Sequence, residues 1–169
     1  LYYVEKGSVK LYKASDGREL IVRIVEPGEY FGYSALLKND RYSESAAALE
    51  TSIIRLVPKN DFQALVFGNR DVNVLFFKML AGHVAEQEQQ LLDLAYNSVR
   101  KRVATTLVHF FDLGQKEVNL LREDLAAIAG TAKETLIRTL SDFKNERLID
   151  IQNGTIFILQ GEKLRNLPN

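Results

Sequence analysis

Apolar and polar residues alternate in short runs along the first third of the chain. Turn sequences separate these runs: Ser15-Asp16-Gly17-Arg18 contains Asp-Gly, a strong hairpin signal, and Glu26-Pro27-Gly28-Glu29 is a second turn. Short strands at this spacing are typical of an all-β barrel, sandwich or roll. The predicted strands are Leu1–Val4, Ser8–Lys13, Leu20–Val25, Ser45–Leu49 and Ser52–Leu56.

The hydrophobic period changes from two to between three and four near Pro58. A short helix is predicted over Asp61–Leu65, with Asn60 or Asp61 near its cap, and a long helix over Asp71–Tyr96. The long helix carries one apolar seam, which needs a partner. A second copy of the chain is the simplest partner, and packing along its own domain is the alternative. The seam consists of Phe77, Leu80, Val84, Gln87, Leu91 and Leu94.

The last third of the chain has the pattern of a winged helix-turn-helix. Ser98 is a candidate N-cap for a helix that Gly114 ends. A tight break at Gly130-Thr131 separates two further helices, and a type I′ hairpin is expected around Asn153-Gly154. The predicted elements are helices over Glu123–Ala129 and Ala132–Glu146 and strands over Leu148–Gln152 and Thr155–Leu159.

In this architecture the start of the second helix enters the major groove of DNA. A carboxylate such as Glu134 can accept from cytosine N4, and a guanidinium such as Arg138 can grip guanine O6 and N7. Two structural roles compete: Thr131 and Glu134 match a capping box, and Glu134 with Arg138 matches an i,i+4 ion pair. Within a helix-turn-helix, base recognition is the preferred interpretation. The predicted DNA-binding residues are Arg122 (on phosphate), Thr131, Lys133, Glu134, Ile137 and Arg138.

Composition narrows the possible functions. The net charge is zero, so DNA affinity must come from local charge placement and base contacts. The chain lacks Cys, which excludes thiolate zinc sites, cysteine-ligated iron–sulfur clusters and cysteine nucleophiles within it. It also lacks an apolar run of roughly 20 residues, a P-loop and a catalytic nucleophile–base–acid set. The expectation is a cytoplasmic protein that is neither membrane-bound nor an enzyme, with no metal site.

Three segments give the chain a family resemblance. Leu1–Val9 is similar to L-Y-Y-I-x-x-G-x-V, Glu26–Gly32 to x-x-G-D-x-x-G, and Lys133–Arg138 to R-E-T-x-x-R. These motifs resemble those of the cyclic AMP receptor protein/FNR (Crp/Fnr) family of bacterial regulators. The resemblance implies an α+β chain with a β-roll effector domain over 1–70, a dimerisation helix over 71–96 and a winged helix-turn-helix over 97–169. Because Leu1 already falls within a predicted strand, the resemblance leads us to expect a further N-terminal segment before it.

The chain departs from this family where cyclic AMP would bind. Members that bind it place Gly-Glu-Leu after the turn, whereas Tyr33-Ser34 follows Gly32 here. Their Arg-Ser-Ala phosphate site aligns with Glu44-Ser45-Ala46, whose carboxylate would repel a phosphate. Their Thr-Ser pair on the long helix aligns with Gln87-Glu88. Conventional cyclic AMP binding is therefore not expected, and the effector pocket is assigned to Gly32, Tyr33, Ser34, Glu44, Ser45, Gln87 and Glu88.

The preferred function is a homodimeric transcription regulator that binds a pseudo-palindromic DNA operator and is controlled by an unidentified small-molecule effector. RNA polymerase is a further expected partner. No cofactor is identified, and His83 and His109 are assigned as surface or core residues rather than haem ligands. The alternative is an effector-binding or protein-interaction module whose winged helix no longer recognises DNA. The zero net charge favours this alternative, as does Ala132, which stands where relatives often have Ser.

Overall fold

The chain forms two compact units, Leu1–Gln90 (the N-terminal unit) and Leu91–Asn169 (the C-terminal unit). The computed structural model describes the backbone of residues 1–169 and every side chain except that of Arg18. The boundary between the units falls inside the long helix predicted from the seam. Strands occur in both units together with helices, which confirms the α+β class.

The six strands of the N-terminal unit form two antiparallel three-stranded sheets. Their strand orders are β4-β1-β6 and β3-β2-β5. The β2–β3 hairpin turns on Asp16 and Gly17 alone, both at positive φ, so its strands run further than their apolar residues suggested. The strands are β1 Tyr2–Lys6, β2 Val9–Ser15, β3 Arg18–Val25, β4 Tyr30–Phe31, β5 Ser45–Ala48 and β6 Ile53–Leu56.

The N-terminal unit has two apolar clusters. The first lies between the sheets and contains residues from β1 to β4, namely Val4, Val9, Leu11, Val25 and Phe31. The unit's helices are α1 Tyr33–Lys38, α2 Lys59–Gly68 and α3 Arg70–Tyr96. The second cluster consists of Leu1, Phe62 and Val66, with partly buried apolar neighbours from α1 and α3 and with Val57 before α2.

Helix α2 begins two residues before the predicted Asp61, so that Asn60 and Asp61 lie near the cap, in the first turn. Its first residue is Lys59 and its N-cap is Pro58, which makes no side-chain hydrogen bond. Proline has its φ fixed in a suitable range and can therefore precede a helix without a polar cap. Helix α1 and strand β4 were not predicted because each is too short to show a period.

The C-terminal unit is a helical group with a small antiparallel sheet of order β7-β9-β8. Asn153 and Gly154 both have positive φ between β8 and β9, which confirms the type I′ hairpin. Ser98 accepts a hydrogen bond from the Lys101 amide at 3.2 Å, which confirms it as the N-cap of α4. The elements are α4 Val99–Asp112, β7 Glu117–Val118, α5 Arg122–Ile128, α6 Lys133–Asn145, β8 Ile149–Gln152, β9 Thr155–Ile158 and α7 Gly161–Arg165.

Fully buried residues from α4, α5, α6 and both wing strands form the core of the C-terminal unit. They include Leu107, Leu125, Leu140, Phe143 and Ile156. Because α6 packs through this core, tertiary contacts stabilise it more than its own helix propensity does. The rest of the unit also fixes its orientation. Among the described residues, no helix is both long and apolar enough to cross a membrane.

Candidate nucleic-acid interface and effector site

Helix α6 has one buried side and one solvent-exposed side. Its buried residues are Leu136, Thr139, Leu140 and Phe143. The exposed side of its first half carries Lys133, Glu134, Ile137 and Arg138. The structure therefore brings together four of the six residues that the sequence assigned to DNA, all of them exposed to solvent.

Both structural alternatives for Glu134 are wrong. The N-cap of α6 is Ala132, and the helix starts at Lys133, so Thr131 lies one position too early to cap it. No side-chain hydrogen bond caps this helix. Among the residues that the structure describes, no ion pair joins Glu134 to Arg138. Both charged groups are thus available for contacts outside the chain.

Lys133 is engaged within the free protein. Its ammonium group pairs with the Glu123 carboxylate on α5, and this hydrogen bond holds the pKa of Glu123 below its ordinary value. The pair links the starts of the two helix-turn-helix helices. Lys133 would have to exchange Glu123 for a phosphate to contact DNA.

Arg122 links α5 to the wing. It is the first residue of α5, not the residue before the helix as the sequence suggested. Its Nη2 donates to the Gly154 carbonyl at 2.8 Å in the turn of the β8–β9 hairpin. Burial lowers the pKa of this guanidinium. Arg122 therefore fixes the wing turn beside α5, with donors left over for a phosphate.

Arg102 of α4 holds the turn of the helix-turn-helix. Its guanidinium donates to the carbonyls of Ala129 at 2.9 Å and Gly130 at 3.1 Å, which lie in that turn. A third bond goes to the Asn97 carbonyl at 3.0 Å, between α3 and α4. The residue therefore ties the end of the long helix to the turn that orients α6, and the sequence analysis did not identify it.

The segment between α3 and α4 is also held by the last residues of the chain. The Asn169 amide donates to the Tyr96 carbonyl at 2.8 Å and accepts from the Ser98 amide. Lys101 donates to the carbonyls of Arg165 and Leu167, at 2.8 and 2.7 Å. Four hydrogen bonds thus connect the C-terminal segment to the beginning of α4 and the end of α3.

The predicted effector pocket is only partly assembled. Gly32 has a φ of 80° and lies against the rings of Tyr2 and Tyr42. Ser34 and Glu44 are half-buried. Ser45, Gln87 and Glu88 are exposed.

Tyr33, another of the predicted pocket residues, contacts α3. Its hydroxyl lies 2.6 Å from His83 Nδ1, and its ring stacks on the His83 ring with centroids 5.7 Å apart. The Phe76 ring meets it edge-on. Burial raises the pKa of Tyr33 and, together with Arg23, lowers that of His83. His83 is therefore a contact residue between α1 and α3.

Arg23 of β3 is a charged residue beside Tyr33 and His83 that was not among the predicted site residues. Its Nη2 lies 3.2 Å from a Glu29 carboxylate oxygen, and its Nη1 donates to the Tyr30 carbonyl at 3.3 Å. A charged residue inside the apolar run of β3 was the sequence signal that could have identified Arg23.

The described residues contain no group of three or more His, Asp or Glu side chains arranged to hold a metal.

Most of the apolar seam of α3 is exposed, and only Leu80 within it is half-buried. Phe77 is 61% exposed and Leu91 is 67% exposed, and α3 contains no fully buried residue. Val84 and Leu94 are exposed as well. The alternative in which the seam packs along its own domain is not what the structure shows for these residues; the contacts to the roll come instead from Phe76 and His83.

A roll of antiparallel sheets followed by a long helix and a winged helix-turn-helix with an exposed recognition helix defines a DNA-binding regulator. The Cyclic nucleotide-binding domain family matches residues 1–69, and the Crp-like helix-turn-helix domain family matches residues 101–167. The chain belongs to the Crp/Fnr family, and it is a DNA-binding transcription regulator of that type.

Individual relatives agree with this assignment. The Cyclic AMP receptor protein of Thermus thermophilus is 30% identical over 169 residues, which span 99% of this chain and 78% of the relative. The Nitrogen fixation regulation protein FixK of Rhizobium meliloti is also 30% identical, with the same coverage of both chains. The solved structure of FixK2 from Bradyrhizobium japonicum superposes with a TM-score of 0.83 at 25% identity, covering 99% of this chain and 86% of that one.

Proposed function

We propose that the protein acts as a homodimer on a pseudo-palindromic operator. The observation that carries this proposal is the mostly exposed apolar seam of α3, which a second copy would bury in register. Two recognition helices would then meet half-sites about 34 Å apart, one turn of the duplex. In this proposal residues 1–70 sense an effector, 71–96 form the dimer and 97–169 bind DNA.

Leu91→Asp tests the dimer. A charge in the seam would face its own copy across an apolar interface, so the dissociation constant should rise by at least tenfold. The matched control is Leu92→Asp, because Leu92 is its exposed neighbour on the same helix but lies outside the seam. Sedimentation equilibrium measures both. Equal effects of the two substitutions, or a monomeric parent protein at all concentrations, would refute the seam as the interface.

We further propose that Glu134 and Arg138 recognise bases. Arg122, Lys133 and Thr131 would position α6 through contacts with the DNA phosphates. Support comes from the two unpaired charges on the exposed side of α6. A bidentate Arg contact to guanine contributes about 1–3 kcal/mol to discrimination, or roughly 5- to 150-fold.

The test uses an operator selected from random duplexes by the intact protein. Arg138→Ala should weaken binding to that operator by roughly 5- to 150-fold. It should also reduce the preference for guanine at one position of each half-site. Arg165→Ala is the control, since Arg165 pairs with Asp112 and Glu162 away from α6. If Arg138→Ala preserved the base preference, the assignment would fail. If the intact protein selected no sequence, the module without DNA recognition would be the better description.

The effector in this proposal is not cyclic AMP bound in the conventional way, although several relatives are named for cyclic AMP. This part rests on the sequence resemblance, in which Tyr33 replaces the ribose-binding carboxylate of members that bind cyclic AMP and Glu44 replaces their phosphate-binding Arg. Titration calorimetry of the intact protein with cyclic AMP should show no saturable heat. A micromolar site would overturn this part. We also propose the operator and RNA polymerase as partners of the protein, and such partners imply a cytoplasmic location.

A further inference from the structure

One residue on the exposed side of α6 is apolar. Ile137 is 43% exposed, three residues after Glu134 and directly before Arg138. The other large apolar residues of this helix are buried in the core of the unit. A single exposed apolar side chain is common on protein surfaces and means little by itself. Its position between the two base-contacting candidates gives it significance.

The chemistry of the major groove limits what Ile137 can favour. Its side chain has no hydrogen-bonding group, so pressing it against a polar base edge would strip water from that edge without replacement. Among the four bases of DNA, only thymine presents an apolar group in the major groove, the C5-methyl. The branched side chain of Ile is also stiff, which fixes where its methyl groups can lie.

We infer that Ile137 is a specificity-determining residue that selects thymine through its C5-methyl group. The thymine lies at a base pair adjacent to those contacted by Glu134 and Arg138. This inference rests on the proposed function, in which α6 occupies the major groove. It adds a methyl contact that the charge pattern alone does not contain.

The experiment replaces single thymines of the selected operator with deoxyuridine, which removes only the methyl group. Fluorescence anisotropy with the intact protein then measures each duplex. One position per half-site should weaken binding by about fourfold, the ratio that burial of one methyl group corresponds to. Replacing both symmetric positions should multiply the two effects.

Protein variants assign the effect to Ile137. Ile137→Ala should bind the thymine and deoxyuridine operators equally, while Ile137→Val should keep part of the difference. Leu159→Ala is the control, because Leu159 is a similarly exposed apolar residue of the same unit outside α6; it should keep the full difference. Because Ile137 is exposed, circular dichroism should show Ile137→Ala folded.

Three results would overturn the inference. The first is that no thymine in the half-site depends on its methyl group. The second is that the dependence persists unchanged in Ile137→Ala, which would place its origin in DNA shape. In both cases Arg138→Ala would still lose guanine preference, so the proposed function would stand. Failure of the intact protein to select any operator would overturn both.

Discussion

The hydrogen bonds of Arg102 lead to the sharpest prediction about the DNA-binding unit. Arg102→Met keeps the length of the side chain but removes all three donors to Asn97, Ala129 and Gly130. A hydrogen bond contributes about 1 kcal/mol net, and more when one partner is charged. Ala129 is buried, so water cannot fully replace the lost donor at its carbonyl. The expected loss is about 2–4 kcal/mol, a large fraction of a typical domain's stability.

Two measurements follow the effect. Urea unfolding monitored by circular dichroism should show a lower midpoint for Arg102→Met. Hydrogen exchange should accelerate first in peptides that cover residues 126–133, the turn before α6. Operator affinity should fall as well, because a loosened turn no longer holds α6 in place.

Two further variants separate geometry from charge. Arg102→Lys keeps the charge, but a single ammonium group cannot reach three carbonyls, so its effect should be intermediate. Arg165→Met removes a guanidinium whose partners are carboxylates at the surface and should change little. If Arg102→Met matched Arg165→Met in both stability and exchange, the turn would not depend on Arg102.

Three other predictions concern single positions, each measured by urea or thermal unfolding. Gly161→Ala should destabilise by about 1–3 kcal/mol, because its Cβ would lie 2.6 Å from the ring of Phe111. Gly154→Ala should cost roughly 1–2 kcal/mol since its φ is 85°, whereas Gly82→Ala, in an open helical position, should stabilise; equal effects would contradict the turn geometry. His83 has a pKa below its ordinary value of 6.5, so unfolding takes up a proton between the two values. Stability should therefore fall as the pH drops through 6.5 toward that lower pKa, and His83→Gln should lack this component.

Local signals in the sequence were sufficient where a short segment determines its own geometry. Asn153-Gly154 and Ser98 are such cases, because a type I′ turn and a serine cap depend on neighbours within a few residues. The capping box predicted from Thr131 and Glu134 is also a local pattern, but the structure does not contain it. Thr131 and Glu134 have the right spacing, but the helix starts at Lys133, one residue later than a cap at Thr131 requires.

Contacts between distant residues could not be predicted. Tyr33 and His83 are 50 residues apart, and only the fold shows that one hydroxyl meets one imidazole. Likewise Arg102 reaches carbonyls 27 and 28 residues away. Every residue has a backbone carbonyl, so the sequence does not show which carbonyls accept a hydrogen bond from a distant side chain. The chemistry of the recognition helix was visible in the side chains, whereas the groups that hold it in place were not.

The polar position in the apolar seam has a consequence for cells that contain several regulators of this architecture. In a homodimer the two Gln87 side chains would face each other and could exchange hydrogen bonds. A mixed pair with an aliphatic residue opposite Gln87 would bury an amide without a partner, which costs about 1–3 kcal/mol. Gln87 would thereby keep subunits of related regulators from mixing, and each operator would receive two identical recognition helices.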